Sequence, residues 1–134
     1  MEDNPADVRL TREALRESRV PANLRVVVDG VEAMEFLYRR GRYGEAARPD
    51  LTLLDLNLPR KDGREVLAEI KSDLTLRCIP VVVLTTSEAG EDVFQCYNLH
   101  ANCYITKPID LDRFMATMKS TFDFWFTVVK LPTE

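Results

Sequence analysis

The chain has 134 residues, 46% hydrophobic and 30% charged, with a formal net charge of −4; that length supports one domain with a core of its own, and the composition is that of a soluble globular protein. The acidic balance, with a pI near 5.1, argues against nucleic acid, because phosphate backbones are held by basic surfaces. No apolar run is long enough to span a bilayer and no signal peptide opens the chain, so no membrane partner and a cytoplasmic location are expected. Cys78, Cys96 and Cys103 are odd in number and lack CxxC spacing. They read as small buried apolar residues in a reducing compartment rather than metal ligands.

Asn4 before Pro5 marks a helix start, since Asn caps free backbone N–H groups and Pro is tolerated at the first helical position. The helix covers residues 5–18, with Val8, Thr11 and Leu15 inward, and Val20-Pro21 ends it. Residues 24–28 (LRVVV), bounded by Asp29-Gly30, read as a strand. A second helix over 31–40 turns Val31, Met34, Leu37 and Tyr38 to the core, and a polar, exposed loop containing Gly41 and Gly44 runs on to Arg48. Residues 51–54 are a short apolar run, which reads as the central strand of a parallel sheet, and Asp55, Leu56, Asn57, Leu58 and Pro59 close it.

Asp62-Gly63 leads into a third helix over 64–71, with Val66, Leu67 and Ile70 apolar. Residues 81–84 form the next strand, ending in Thr85, Thr86 and Ser87, and a fourth helix covers 90–99. His100 follows it where glycine is usual, and His is tolerated at positive φ, so a helix cap is expected there rather than a phosphorelay group. A short strand over 103–105 precedes Thr106, Lys107 and Pro108; Asp110 then caps a last helix with Leu111, Phe114, Met115, Met118 and Phe122 at helical spacing. Strands alternating with helices, with no repeat or linker, give a single α/β domain with a parallel sheet and helices on both faces.

In such sheets ligands bind beyond the carboxyl ends of the strands. Asp55, Thr85 and Lys107 each follow or end a strand there, and Glu2 and Asp3, just before the first helix, share that rim. Clustered carboxylates repel one another unless a cation joins them, and hard oxygen donors suit Mg²⁺. A metal on one side and Lys107 on the other would neutralise a phosphoryl group, with Asp55 as the nucleophile that forms an aspartyl phosphate. Taken singly, each has a plainer reading: a structural carboxylate, a charged terminus, a strand-favouring Thr, a solvated lysine. The aromatic tail after Phe122 (Phe124, Trp125, Phe126, Val128, Val129) carries more apolar bulk than one buried helix face needs. Such bulk marks a partner surface, here a homodimer built on the last strand and helices with residues 122–134 as an extension; the alternative is a tail folded back on its own core.

Glu2-Asp3-Asn4, the run from Leu53 to Pro59, Asp62-Gly63, Pro80 through Thr85, and Tyr104 with Lys107-Pro108 together resemble the receiver domain of two-component response regulators. The loop at 39–49, Tyr97-Asn98-Leu99-His100 and the aromatic tail are similar to the stand-alone, phytochrome-associated receivers. The resemblance implies a flavodoxin-like, doubly wound parallel sheet and a phosphoryl group taken by Asp55 from a histidine kinase, a bacteriophytochrome being one candidate. It implies Mg²⁺ held by Asp3, Asp55 and the backbone carbonyl of Asn57, with Glu2 acting partly through water. Thr85 would hydrogen-bond the phosphoryl oxygens, Lys107 would pair with them across a cis bond to Pro108, and Tyr104 would change rotamer as a switch. Such a domain signals rather than turns over substrate, beyond self-phosphorylation from small donors and autodephosphorylation.

One departure stands out. Receivers open with an apolar central strand before the acidic pair, and here only Met1 precedes Glu2. Without it the strands at 24–28 and 51–54 each lose a neighbour, and Glu2 and Asp3 lie on a frayed terminus. A truncated chain, a re-paired sheet or a strand borrowed from another copy would each account for it. The alternative function is then a phosphorylation-independent binding module with a defective metal site. A Mg²⁺-dependent phosphatase is disfavoured, since Asn57 stands where such enzymes want a second carboxylate.

Overall fold

The computed structural model describes residues 1–132. Asn4 Oδ1 accepts from the backbone N–H groups of Ala6 (2.9 Å) and Asp7 (3.2 Å), and helix α1 runs over Pro5–Ser18. Helix α2, Gly30–Leu37, starts on Asp29, whose carboxylate accepts from the Glu32 N–H at 2.7 Å. A 3-10 turn, Gly41–Tyr43, follows in the polar loop, where Tyr43 packs edge-on against Phe36. Then come β1 (Thr52–Leu54), α3 (Gly63–Ser72), β2 (Val81–Thr85), α4 (Gly90–Asn98), β3 (Cys103–Thr106) and α5 (Leu111–Asp123), which a π turn, Phe124–Val128, extends. His100 closes α4 at φ 72°, as its position after the helix predicts.

The sheet is parallel in the order β1-β2-β3, with Leu54 opposite Val83 and Val83 opposite Tyr104. Alternate strand residues leave opposite faces, and each face is covered. Leu54, Val81 and Val83 pack with Met34 and Leu37 of α2 and Val66, Leu67 and Ile70 of α3. Leu84 packs with Ala14 and Leu15 of α1 and with Phe114, Met118 and Phe122 of α5. The doubly wound α/β arrangement is therefore as expected.

The edge beyond β1 differs from expectation. Residues 24–28 form no strand, because a ladder needs a continuous partner and only Met1 and Glu2 lie between them and β1. Those two residues do stand in for the central strand. Met1 N donates to the Leu53 carbonyl at 2.8 Å, Asp55 N–H to the Met1 carbonyl at 3.1 Å, and Glu2 N–H to the Val27 carbonyl at 3.0 Å. Glu2 is thus tied by its backbone rather than frayed. Behind Met1 a cavity of about 40 Å³ remains, lined by Val8, Thr11, Leu24, Val26, Leu53 and Leu84 among others.

Gly63 fixes how α3 meets the loop after β1. A Cβ there would lie 2.4 Å from the Asp55 carbonyl oxygen and 2.6 Å from the Leu56 Cα, and the Gly63 N–H donates to the Leu56 carbonyl at 2.9 Å. Cys96 is buried and Cys103 half-buried, but Cys78 is exposed, against expectation, because it lies in the connection between α3 and β2. Among the described residues, no helix is long and apolar enough to cross a membrane.

Candidate functional site

Asp55 directly follows β1, Thr85 ends β2 and Lys107 directly follows β3, so the parallel ladder brings all three to one rim. The Lys107 N–H donates to the Thr85 carbonyl at 2.7 Å, which locks two of the strand ends together. The Lys107 ammonium, buried at the rim, reaches Asp55 Oδ2 at 2.9 Å and Asp7 Oδ2 at 2.8 Å, and also bonds Glu2 Oε1. Asp55 Oδ1 accepts from the Asn57 backbone N–H at 3.0 Å, so both oxygens of this buried carboxylate are held in place. Glu2 Oε2 accepts from the Asn4 N–H at 3.2 Å, which couples it to the start of α1.

The charges on the rim are interdependent. Burial pulls the Lys107 pKa down, but hydrogen bonds to Asp7, Glu2 and Asp55 more than offset it and leave it above its ordinary value. Burial also works against the Asp55 carboxylate, yet the Asn57 N–H and Lys107 outweigh it and hold its pKa below the usual range. Glu2 moves the other way: burial, with the Asp55 charge beside it, raises its pKa despite Lys107. An ammonium and a carboxylate thus face each other charged, while burial, more than the neighbouring Asp55, disfavours the charged form of Glu2.

Ligand oxygens of Glu2, Asp3 and Asp55 all lie within 4.8 Å of one another. This is a hard-oxygen donor set of the kind that holds a divalent cation. Asn57, expected as a fourth donor through its carbonyl, is exposed and joins the site through its N–H.

Thr85 is fully buried, and its Oγ1 has no hydrogen-bond partner; Thr52 Oγ1 is the other such atom among the described residues. Buried hydroxyls are rarely left unpaired, so one at a strand end beside Lys107 is suited to a ligand oxygen. Tyr104, expected to act as a switch, is half-buried and donates its hydroxyl to the Ser87 carbonyl at 2.9 Å. Its ring is therefore fastened to the loop that leaves Thr85.

Two features differ from the sequence reading. Among the described residues no peptide bond is cis, so the Lys107–Pro108 bond is trans. The two isomers of an X–Pro bond differ by only about 0.5–1 kcal/mol, so the dipeptide does not dictate the choice, and Lys107 reaches Asp55 from the trans form. Asp7 was not expected at the site at all. A helix starting at Pro5 places Asp7 in its first turn, on the same rim as Glu2, but nothing in the sequence pairs it with Lys107. Also unforeseen is a polar cluster beneath the loop after β2: Ser87 Oγ donates to Asp92 Oδ2 at 2.6 Å, and Arg64 bonds Asp92 at 2.9 Å and Asp62 at 3.3 Å.

A doubly wound α/β domain whose three strand ends present an acidic cluster, a buried Thr and a buried Lys defines a receiver-type signalling domain. Known proteins bear this out: the response regulator receiver domain matches residues 1–119, and the chain belongs to that family. It is 49% identical over 132 residues to the response regulator Rcp1 of Synechocystis sp., covering 98% of this chain and 90% of that protein. The structure of the phosphorylated cyanobacterial phytochrome response regulator RcpA superposes with a TM-score of 0.96 at 56% identity, covering 99% of this chain and 95% of that one. The Mn²⁺-bound form of Rcp1 does so with a TM-score of 0.96 at 49% identity, over 99% and 96% of the two chains. The resemblance to phytochrome-associated response regulators is thereby borne out.

Proposed function

We propose that the chain accepts a phosphoryl group on Asp55 from the phosphohistidine of a histidine kinase and passes the signal on through β3 and the helices beside it. The observation that carries this reading is the Lys107 ammonium on Asp55 Oδ2, at the rim where Thr85 Oγ1 lies buried without a partner. An Asp55 oxygen would form the new P–O bond as the P–N bond to the kinase imidazole breaks, with the electron pair left on the ring nitrogen. Lys107 then neutralises phosphoryl charge, and the Thr85 hydroxyl gains the acceptor it lacks.

Glu2, Asp3 and Asp55 with the Asn57 carbonyl would hold Mg²⁺, which would supply further positive charge to the phosphoryl oxygens. The Mn²⁺-bound form of the related Rcp1 supports binding of a divalent ion by this chain. Movement of Thr85 toward the phosphoryl group draws on residues 86–89, and with them the Ser87 carbonyl that fastens Tyr104. The chemistry is confined to the chain's own modification and its reversal, so the protein acts as a signalling domain and not as an enzyme with turnover.

Similarity to the phytochrome regulator RcpA supports a phytochrome-type kinase as donor, in the cytoplasm. Phe94, Tyr97, Ile109, Leu111, Phe124 and Val128 are exposed on or beside α4 and α5, which supports a homodimer through that side. Part of the tail expected to extend it, residues 133–134, lies outside the described residues.

The test is intact mass after incubation with acetyl phosphate and Mg²⁺, with Asp55→Asn as control. A phosphoryl adduct that needs Mg²⁺ and is missing in the variant is the expected result. A folded wild-type chain that takes up no phosphoryl group would overturn the reading in favour of a phosphorylation-independent binding module.

A further inference from the structure

We infer that Asp7 is a positioning residue that retains Lys107 at the phosphoacceptor when a divalent cation claims Glu2 and Asp55. The inference rests on the reading of this rim as a cation-dependent phosphoacceptor site. Lys107 Nζ has three carboxylate partners, Glu2, Asp7 and Asp55. Two of them, Glu2 and Asp55, also belong to the cluster of close-lying carboxylates, whereas Asp7 does not.

A cation in that cluster and the ammonium of Lys107 therefore draw on the same two carboxylates and repel each other. As the cation enters, Lys107 must let go of Glu2 and Asp55 in part, and a long, flexible lysine side chain released at a rim turns to water. Asp7 is the partner that can keep it. Its backbone is fixed in the first turn of α1, where its N–H is capped by Asn4 Oδ1 at 3.2 Å. Its carboxylate has Lys107 as its single hydrogen-bond partner among the described residues, at 2.8 Å. The lysine backbone is fixed from the other side by the bond from its N–H to the Thr85 carbonyl at 2.7 Å. Held at both ends, the side chain stays within reach of Asp55 while Asp55 serves the metal.

The test is a double-mutant cycle read by calorimetric Mg²⁺ titration of the unphosphorylated chain, with Asp7→Asn, Lys107→Met and the pair. Asp7→Asn keeps the residue's size and the Asn4 cap, and an unchanged melting temperature checks its fold. Without Asp7, Lys107 remains on Glu2 and Asp55 and the cation must displace it, so Mg²⁺ affinity should fall about tenfold, as for partners that orient a metal's ligands. In the Lys107→Met background the same change should alter affinity by less than about twofold, since there is nothing left for Asp7 to retain. Equal losses in both backgrounds would show that Asp7 acts only as a nearby negative charge, and would overturn the inference.

Phosphorylation gives a second readout. At saturating Mg²⁺, adduct formation should be slower in Asp7→Asn and recover in Asp7→Glu, which restores the carboxylate. A wild-type chain that binds Mg²⁺ but forms no adduct would sink the phosphoacceptor reading while leaving the coupling of Asp7 to Lys107 measurable. An adduct without that coupling would sink the role of Asp7 alone.

Discussion

The two sides of β1 make an instructive contrast. Toward β2 it is laddered along its whole length, and β2 in turn is laddered to β3 from Val82 to Thr85. On the other side, among the described residues, the backbone bonds of β1 and of the Asp55 that follows it run to Met1, at Leu53 and Asp55, and Glu2 reaches Val27 by one bond more. Thr85 and Lys107 stand on the firmly built side, Glu2 and Asp3 on the sparsely held one, and Asp55, at the end of β1, lies where the two meet. The placing of Thr85 and Lys107 is thus a property of the sheet and its two cores, while Glu2 and Asp3 depend on a few local bonds. The two can be broken separately.

The largest effect should come from the firm side. Leu67 is fully buried between α3 and the sheet, so Leu67→Ala should cost about 2–5 kcal/mol of stability, read from the shift in denaturation midpoint. Val27→Ala, on the sparse side, should cost about 1–2 kcal/mol for the methyl groups removed. Similar losses at the two positions would refute the contrast. Hydrogen exchange sharpens it further: amides within β2 and β3 should exchange at least about a hundredfold more slowly than those of Glu2 and Asp55, because only the former are released by wide opening.

The same contrast explains what could be read from the sequence. Helix starts were legible because their causes are local, as with Asn4 before Pro5 and Asp110 before Leu111. The three strands found were short apolar runs flanked by turn residues. Residues 24–28 look just as strand-like, but a strand exists only with a partner, and the sequence pattern carries propensity without pairing. Asp55, Thr85 and Lys107 were legible because strand ends in a parallel sheet share one rim. Asp7 was not, because an acid in a first helical turn is usual there for its effect on the helix dipole, and its partner is 100 residues away.

A smaller effect is expected at Thr85. Its buried hydroxyl has no partner in the resting chain, and an unsatisfied buried polar group costs about 1–3 kcal/mol. Thr85→Val should therefore leave thermal stability unchanged or raise it by about 1 kcal/mol, while Tyr104 should no longer respond when phosphodonor and Mg²⁺ are added, as followed by its ring NMR signals. A clear loss of stability would mean that the hydroxyl is already engaged, and that Thr85 is held by the sheet for its own sake.

The smallest effect concerns acid at the firm side. Asp73 closes α3 and accepts from the Thr75 hydroxyl at 2.6 Å, the Thr75 N–H at 2.7 Å and the Tyr38 hydroxyl at 3.1 Å, which joins α3 to α2. Those hydrogen bonds, the Thr75 hydroxyl first, depress its pKa below the ordinary carboxylate value. A carboxylate depressed on folding stabilises at every pH above its unfolded pKa, and the contribution fades as pH falls through the folded value. Asp73→Asn should therefore melt slightly below wild type at pH 7, and the gap should narrow as the pH falls below the ordinary carboxylate range. The group is open to water, so the gap is modest and shrinks with salt. A gap that stayed constant through acid pH would mean that Asp73 acts through its shape in the turn and not through its charge. The acid response of the α2–α3 side would then have to come from other carboxylates.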